Sequence, residues 1–208
     1  MRMRPLVLVM TLAWQLAAAA PGHGALTLAQ VEQRLVRGGY GATLNAAHWA
    51  VQQGEAIVPL LAQLLERRQI YEQQLGGATG AYPFNAVWAL GQLSSPAALG
   101  VLERYFAKTR DDTAGLAIKA VKLRRTKQSR AFAVLLSDKT LYAQASLEAK
   151  AVKDLQGGQE IRIIKAGIVN PKEEGPRGGP AMFDQVEVVP TGEQGFVERA
   201  GDGFPPYI

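Results

Sequence analysis

Two apolar helical stripes joined by a short corner constrain the fold of this chain most, and they lie within residues 85–106. Apolar side chains recur there at helical spacing: Ala86, Ala89, Leu90 and Leu93, then Leu99, Leu102 and Phe106. Gly91 and the corner at residues 94–96 are expected to end the first helix, and Ser95 and Pro96 are expected to begin the second. Helices joined so closely lie antiparallel, and one pair cannot cover both of its apolar faces. The segment therefore predicts a helical unit that packs against neighbouring pairs.

Helical patterns also precede this pair. Thr27 and Gln30 form a capping box that begins a helix running to about residue 36. A second helix is predicted over residues 42–53, and a long leucine-rich helix is predicted over residues 55–74. The first half of the chain after its N-terminal segment is therefore predicted to be helical.

The helical pairs recur along the sequence. Trp49 and Trp88 occupy matching places. Their separation is about 40 residues, which is the period of stacked helical repeats. The string WALGQLSSPAALGVLERYF, residues 88–106, resembles a HEAT repeat. The resemblance implies a short α-solenoid of two and a half repeats over residues 26–127, an architecture that binds partners.

A further first helix is predicted after this pair. Asp111 is a candidate N-cap, and Ala117 and Ala120 repeat the small residues of the preceding first helix. No second helix follows, so the last apolar face of the solenoid is left open. Because solenoid ends need a cover, we expect the remainder of the chain to dock there.

From residue 130 the apolar period changes from 3.6 toward 2, which favours short strands. Five segments carry this pattern: AFAVLLS, TLYAQAS, EIRIIK, FDQVEVV and GFVER. Turn-forming residues separate them at positions 138–139, 156–158 and 190–192. Residues 130–200 resemble a bacterial SH3-like domain, because Leu-Tyr-Ala at 141–143 and Gly-Phe-Val at 195–197 stand where that family has core strand motifs. The resemblance implies a small, strongly bent β-barrel.

Members of this family that hold cell-wall peptides use an aromatic-lined groove. By resemblance, Tyr142, Arg162, Phe183 and Phe196 are candidate groove residues. Residues 166–181 form a Gly/Pro-rich insertion between two predicted strands. We expect this insertion to be a mobile surface loop, with a binding-site loop as the alternative.

The N-terminus has the layout of a secretory signal peptide. A short basic start precedes an apolar run at residues 6–16 and four alanines, and cleavage is expected after Ala19. The run is too short for a stable membrane span, although an uncleaved anchor is the alternative. Residues 1–19 therefore predict export, to the periplasm or the extracellular space.

Charge and composition exclude several functions. The formal net charge of the chain is +5, and removing Arg2 and Arg4 lowers it to +3, so we expect no nucleic-acid partner. There is no cysteine, which excludes disulfides and thiol catalysis. The two histidines are His23, just beyond the cleavage site, and His48, which is expected to pack on an Ala-rich helix. No catalytic, metal-binding or cofactor motif occurs, so we expect no enzyme, no metal and no cofactor.

Basic residues cluster where the last predicted helix meets the strands: Lys119, Lys122, Arg124, Arg125, Lys127 and Arg130. Cations at a helix C-terminus are favoured by the helix dipole, so this cluster is expected to be a solvated helix end. The alternative is a basic ledge that attracts an acidic protein or an anionic polymer, with Lys122, Arg124 and Arg125 as candidate binding residues.

Together these patterns predict a segregated α+β protein: a HEAT-like α-solenoid, then an SH3-like β-barrel, then a tail at residues 201–208. The predicted function is non-enzymatic binding or scaffolding in the bacterial cell envelope, with a protein as the partner. The alternative partner is peptidoglycan or another anionic wall polymer, bound by the barrel.

Overall fold

The computed structural model describes residues 26–36, 43–74, 82–175, 178–199 and 205–208. Within these ranges, seven α-helices precede six strands, which confirms the segregated α+β class. The helices are α1 (Leu28–Leu35), α2 (Thr43–Gln52), α3 (Val58–Glu66), α4 (Arg68–Gln74), α5 (Tyr82–Leu93), α6 (Pro96–Thr109) and α7 (Asp112–Lys127). The strands are β1 (Phe132–Val134), β2 (Lys139–Tyr142), β3 (Ala151–Leu155), β4 (Glu160–Glu174), β5 (Pro180–Val188) and β6 (Gln194–Glu198). The predicted signal peptide, residues 1–19, lies outside the described residues.

Side-chain caps begin three helices at the residues that the sequence indicates. Thr27 and Gln30 form a complete capping box at α1. The Ser95 hydroxyl accepts the Ala98 N–H at 3.0 Å at the start of α6. The Asp111 carboxylate accepts the Ala114 N–H at 2.9 Å at the start of α7. These predicted helix starts are confirmed.

The prediction of one long helix over residues 55–74 is wrong, because the helix is interrupted at Arg67. A 3-10 turn (Gly54–Ile57) leads into α3, which ends at Glu66, and α4 begins at Arg68 after the turn residue Arg67. The Arg67 guanidinium pairs with the Glu32 carboxylate of α1 at 3.1 Å, and the Tyr71 hydroxyl donates to the same carboxylate. These contacts hold the beginning of α4 against α1.

Pairs of fully buried alanines allow α2, α5 and α7 to pack closely. α2 packs on α5, and α5 packs on α7. Each of the three helices contributes two alanines spaced three residues apart, and all six are 0 % exposed: Ala47 and Ala50, Ala86 and Ala89, and Ala117 and Ala120. On the other side of this layer, α3 packs on both α5 and α6. The helices therefore form two layers around one apolar core.

The six strands form one antiparallel sheet in the order β1-β4-β5-β6-β2-β3, curled into a half-barrel. The five segments predicted from alternation correspond to β1, β2, β4, β5 and β6, and β3 is a sixth strand that was not among them. Side chains from the inner face of the sheet form a second core: Ala133, Leu135, Leu141, Leu155, Ile161, Val186, Val188, Val197 and Tyr207.

The surface loop expected at residues 166–181 is also wrong, because most of it is strand. β4 continues to Glu174, β5 begins at Pro180, and Ile168 pairs with Phe183 across the hairpin. The glycines are used in the turn, where Gly178 and Gly179 have φ of +79° and +86°. The hairpin of β4 and β5 is therefore an extended arm of the sheet.

This arm holds the segment between β2 and β3. The Glu173 carboxylate accepts the Leu147 N–H at 2.7 Å and the Ser146 hydroxyl. The Asn170 side-chain amide donates to the Ala145 carbonyl at 3.0 Å. The segment is therefore fixed by polar contacts with β4.

The helical and sheet units share a core. α7 packs on β1, and Val134 of β1 is buried within the helical core, so the sheet docks on the last helix as predicted. Lys119 of α7 donates to the Gly158 carbonyl at 2.7 Å and pairs with Glu160 at 3.5 Å. The interface is both apolar and polar.

The end of the predicted tail lies inside this interface. Ile208 and Val134 exchange backbone hydrogen bonds of 3.0 Å each, so the last residues extend the sheet beyond β1. Ile208 is 0 % exposed and packs in the helical core, and the Trp88 indole N–H donates to the Tyr207 carbonyl at 3.2 Å. The C-terminal segment, residues 205–208, therefore connects the two units.

Buried polar groups surround the Tyr207 side chain. Asp184 is 0 % exposed, and its carboxylate accepts the Arg199 Nε–H at 2.8 Å and the Gly167 N–H at 2.7 Å. Burial and the neighbouring Asp184 charge raise the pKa of Tyr207.

Burial and the charge of Arg199 lower the pKa of His48, whose ring contacts the Trp88 ring edge-on at 5.1 Å. His48 thus contacts an aromatic ring while its own residue remains exposed.

Candidate functional site

A cleft of about 590 Å³ lies between α6 and the junction of α3 with α4. One wall comprises Ala62, Leu65, Glu66, Arg68 and Gln69, and the other comprises Val101, Arg104, Tyr105, Lys108 and Thr109. Within each wall, four residues recur at i, i+3, i+4 and i+7. On α6 they form one face of the helix, whereas in the first wall they span the junction of α3 and α4. The volume lies within the range of ligand-binding pockets.

The two walls are built from matching positions of the sequence. Each of these four residues in the first wall has a counterpart in the second wall, and the number of residues between the two members is the same in every pair. The pairs are Ala62 and Val101, Leu65 and Arg104, Glu66 and Tyr105, and Gln69 and Lys108. The same interval separates Trp49 from Trp88 and the first residue of α2 from that of α5. The cleft therefore lies between positions that are as far apart in the sequence as Trp49 and Trp88.

The cleft has an apolar floor and a basic rim. Leu65 and Val101 are 4 % and 6 % exposed and form the floor. Arg104 and Lys108 are exposed on the α6 side, where the Arg104 guanidinium lies over Gly100. No carboxylate of the described residues forms an ion pair with either cation. The rim thus presents two positive charges that are available to a ligand.

Arg68 is held at the rim by neighbouring polar groups. Its guanidinium donates to the Tyr105 hydroxyl at 2.7 Å and lies 3.7 Å from the Asp111 carboxylate. Burial raises the pKa of Tyr105 even though Arg68 acts in the opposite direction, so the hydroxyl stays protonated. The fixed orientation of Arg68 adds a third cation at a defined position beside the floor.

Sequence patterns alone did not reveal this cleft. The sequence does contain one indication of the cleft, because two basic residues, Arg104 and Lys108, lie one helical turn apart beside Val101 and Tyr105. By itself the pattern indicates only the apolar stripe of a second helix. The interruption at Arg67, which separates the two helices of the first wall, has no signal of its own in the sequence.

The structure brings three of the four predicted groove residues together on the sheet. Tyr142 and Phe196 are paired on β2 and β6, and the Phe183 ring is edge-on to Tyr142 with centroids 6.3 Å apart. Phe183 is 0 % exposed, so it lies in the interior and does not line a groove. Arg162 lies elsewhere, on β4, where it pairs with Glu187 at 2.6 Å.

A second cleft, of about 440 Å³, lies beside Tyr142. It is lined by Asp138, Lys139, Thr140, Tyr142, Asp154, Leu155, Gln156 and Glu198. Burial raises the pKa of Glu198, and one of its carboxylate oxygens is buried with no hydrogen-bond partner among the described residues. Three carboxylates beside an aromatic ring suit a positively charged group.

The predicted basic ledge is not one continuous surface, because Arg124 is buried. Its guanidinium donates to the carbonyls of Phe132 and Gly91 at 2.6 and 2.8 Å and to the Ser94 hydroxyl at 3.2 Å. Burial lowers the pKa of Arg124 to about 10, so it remains charged at neutral pH. The residue joins α5, α7 and β1 and is unavailable to a partner.

The other two residues of the predicted ledge are exposed. Lys122 pairs with Glu103 of α6 at 2.9 Å. Arg125 borders a shallow depression together with Gln128 and Arg130. Of the predicted ledge, Arg125 and Arg130 thus form a small exposed patch at the end of α7.

In the described ranges, no three histidine or acidic side chains are grouped so that they could hold a metal ion. None of the helices in these ranges has the length and apolar character that a membrane span needs. Comparison with known proteins finds no matching family model, no matching curated protein and no matching solved structure.

Proposed function

We propose that the protein is a non-enzymatic binding or scaffold protein of the bacterial cell envelope, exported by its N-terminal segment, and that it binds a protein partner through its helical unit. The observation that carries this proposal is the cleft between α3 and α6. Its walls occupy equivalent positions of two successive helical pairs. Such matched faces are the surfaces that stacked repeats use for binding.

The recurrence of equivalent positions supports a HEAT-like solenoid. α2 and α5 begin one repeat interval apart, and the buried alanines of α2, α5 and α7 occupy matching places. α7 follows α5 at a shorter interval than α5 follows α2, so the second helical unit is shorter than the first. For the C-terminal part of the protein, the curled six-stranded sheet supports an SH3-like barrel.

The shape of the cleft favours a polypeptide as the ligand. It combines a nearly buried apolar floor with polar and charged side chains along two helices. Protein interfaces have this arrangement of an apolar centre and a polar rim. A peptide segment that lies along α6 would contact both parts at once.

The alternative function is binding of peptidoglycan by the sheet. Its support is the acidic cleft beside Tyr142, with Phe196 on the neighbouring strand. Wall peptides carry free ammonium groups that would suit the carboxylates of this cleft. Here Tyr142 and Glu198 would contact the ligand, whereas Phe183 would support Tyr142 from below.

Charge reversal in cells tests the first proposal. Intact cells that produce wild-type protein or the Arg104→Glu variant are treated with formaldehyde, and Arg125→Glu serves as the matched control on α7. We expect one cross-linked species of defined mass with the wild type and the control, and much less with Arg104→Glu. The same yield from all three proteins would contradict binding through the cleft.

Co-sedimentation with purified sacculi tests the alternative. If the helical cleft is the binding site, the chain from Ala20 stays in the supernatant. Retention in the pellet that is lost with Tyr142→Ala would instead establish wall binding by the sheet.

A further inference from the structure

We infer that the partner segment in the cleft between α3 and α6 is acidic and carries an apolar side chain that fills the floor. This inference rests on the proposed function and adds the chemistry of the partner. It follows from two independent features of the cleft, its charge and its floor.

The charge of the cleft favours carboxylates. Arg104 and Lys108 supply two exposed positive charges, and Arg68 supplies a third that the Asp111 carboxylate at 3.7 Å partly neutralises. The lining residues contain one carboxylate, that of Glu66. Nearby cations attract an acidic segment and speed its association, and an arginine can bind a carboxylate through two parallel hydrogen bonds. A basic segment would meet like charges, and this repulsion would exclude it.

The position of Arg68 makes this attraction specific. Because the Tyr105 hydroxyl and the Asp111 carboxylate hold its guanidinium, less side-chain entropy is lost when a carboxylate binds. Arg104 and Lys108 are one helical turn apart and are bound by no carboxylate of the described residues. The three cations therefore border the floor from both walls.

The floor favours an apolar side chain between the carboxylates. Leu65 and Val101 leave 4 % and 6 % of their surface exposed, and the small side chain of Ala62 also lines the cleft. A leucine-sized side chain placed there would exclude water from the neighbouring ion pairs. Buried anchors of this kind supply most of the affinity of a peptide interface.

Titration with synthetic peptides tests the inference. The isotope-labelled chain from Ala20 is titrated with a nine-residue peptide of alternating aspartate and glutamate that has a central leucine. Two matched peptides replace the acids by lysine or the leucine by serine. We expect saturable amide shifts along α3 and α6 with the first peptide, about tenfold weaker binding with serine, and no binding with lysine.

Protein variants locate the bound peptide. Arg104→Glu with Lys108→Glu should weaken binding by about tenfold or more, whereas Arg125→Glu should change it less than about twofold. Both reversed side chains are exposed, and Arg104→Ala is the second variant if the double variant does not fold. Equal binding by the wild type and the double variant, or equal binding of the acidic and basic peptides, would overturn the inference. If a partner still cross-links through the cleft while the acidic peptide does not bind, the inference fails and the proposed function stands.

Discussion

Ile208 lies directly on Gly91, so that a β-carbon on Gly91 would be 2.7 Å from the Cγ1 atom of Ile208. Gly91 is inside α5 and does not end it. The contact continues through Ile208 to Val134 of β1, with which it exchanges two backbone hydrogen bonds. Through this residue the last segment of the chain joins the core of the helices to the edge of the sheet.

Gly91→Ala is therefore expected to destabilise the protein. The added methyl group forces Ile208 to move, which costs about 1–3 kcal/mol, whereas alanine gains about 1 kcal/mol of helix propensity over glycine. Gly100→Ala in α6 is the matched control, because its β-carbon would meet only the Arg104 guanidinium at 3.6 Å. Urea unfolding should show a lower free energy of unfolding for Gly91→Ala than for Gly100→Ala. Equal stabilisation by both would show that Ile208 does not occupy this position.

Arg124→Met should lower the free energy of unfolding. Methionine fills a similar volume but leaves the Phe132 carbonyl without this donor, and an unsatisfied buried group costs about 1–3 kcal/mol. The Gly91 carbonyl keeps the Ser94 hydroxyl as a donor. Arg125→Met removes a neighbouring charge that is exposed, and it should change stability by less than about 0.5 kcal/mol. Thermal unfolding of the two variants gives the comparison. A similar small effect of both substitutions would place Arg124 at the surface after all.

Phe183→Ala should destabilise the sheet by about 3–5 kcal/mol, because Phe183 is a fully buried aromatic side chain. Phe196→Ala removes a partly exposed ring and should cost less. Urea unfolding monitored by far-UV circular dichroism measures both. Loss of wall binding in Phe183→Ala would then report loss of the fold, so Tyr142→Ala is the informative variant for the alternative function. A folded, fully stable Phe183→Ala protein would contradict the buried position.

The Glu173 carboxylate should titrate at low pH. The Ser146 hydroxyl and the Leu147 N–H donate to its charged form and lower the pKa of Glu173 below its ordinary value of 4.5. The stabilisation is thus present above the ordinary pKa and is lost as the pH falls through the lowered one. The NMR shift of the Leu147 amide should follow this titration, and Glu173→Gln should abolish it. A midpoint at or above 4.5 would contradict these contacts.

Local sequence signals predicted the elements whose formation is decided locally. The caps at Thr27, Ser95 and Asp111 satisfy N–H groups within three residues of themselves, so short patterns reveal them. Alternation likewise indicated most of the strands. The order of helices and strands, and hence the fold class, followed from these signals.

Contacts between distant residues account for the errors. Gly91 resembles a helix terminator in the sequence, but its lack of a side chain makes room for Ile208, the last residue of the chain. Arg124 resembles an exposed cation at a helix end, and it is buried because β1 supplies one of its acceptors. The break at Arg67 likewise accompanies contacts with Glu32 of α1. No local pattern contains this information.

The candidate site was partly within reach of the sequence. The number of residues that separates Trp49 from Trp88 also separates Gln69 from Lys108 and Leu65 from Arg104 in the helices that follow. That these positions face each other across a cleft requires the stacking of α3 and α6 on α5. The sequence therefore indicates the charge of the site but not its shape.

Photo-cross-linking from within the cleft tests the central claim most directly. A benzoylphenylalanine is placed in cells at Gln69, an exposed residue of the cleft wall, and for comparison at Gln52, an exposed residue of α2 outside the cleft. We predict one discrete protein adduct from position 69, none from position 52, and loss of the adduct when Arg104→Glu is added. Adducts of the same mass and yield from both positions, or an adduct at position 69 that survives Arg104→Glu, would contradict binding of a protein partner in this cleft.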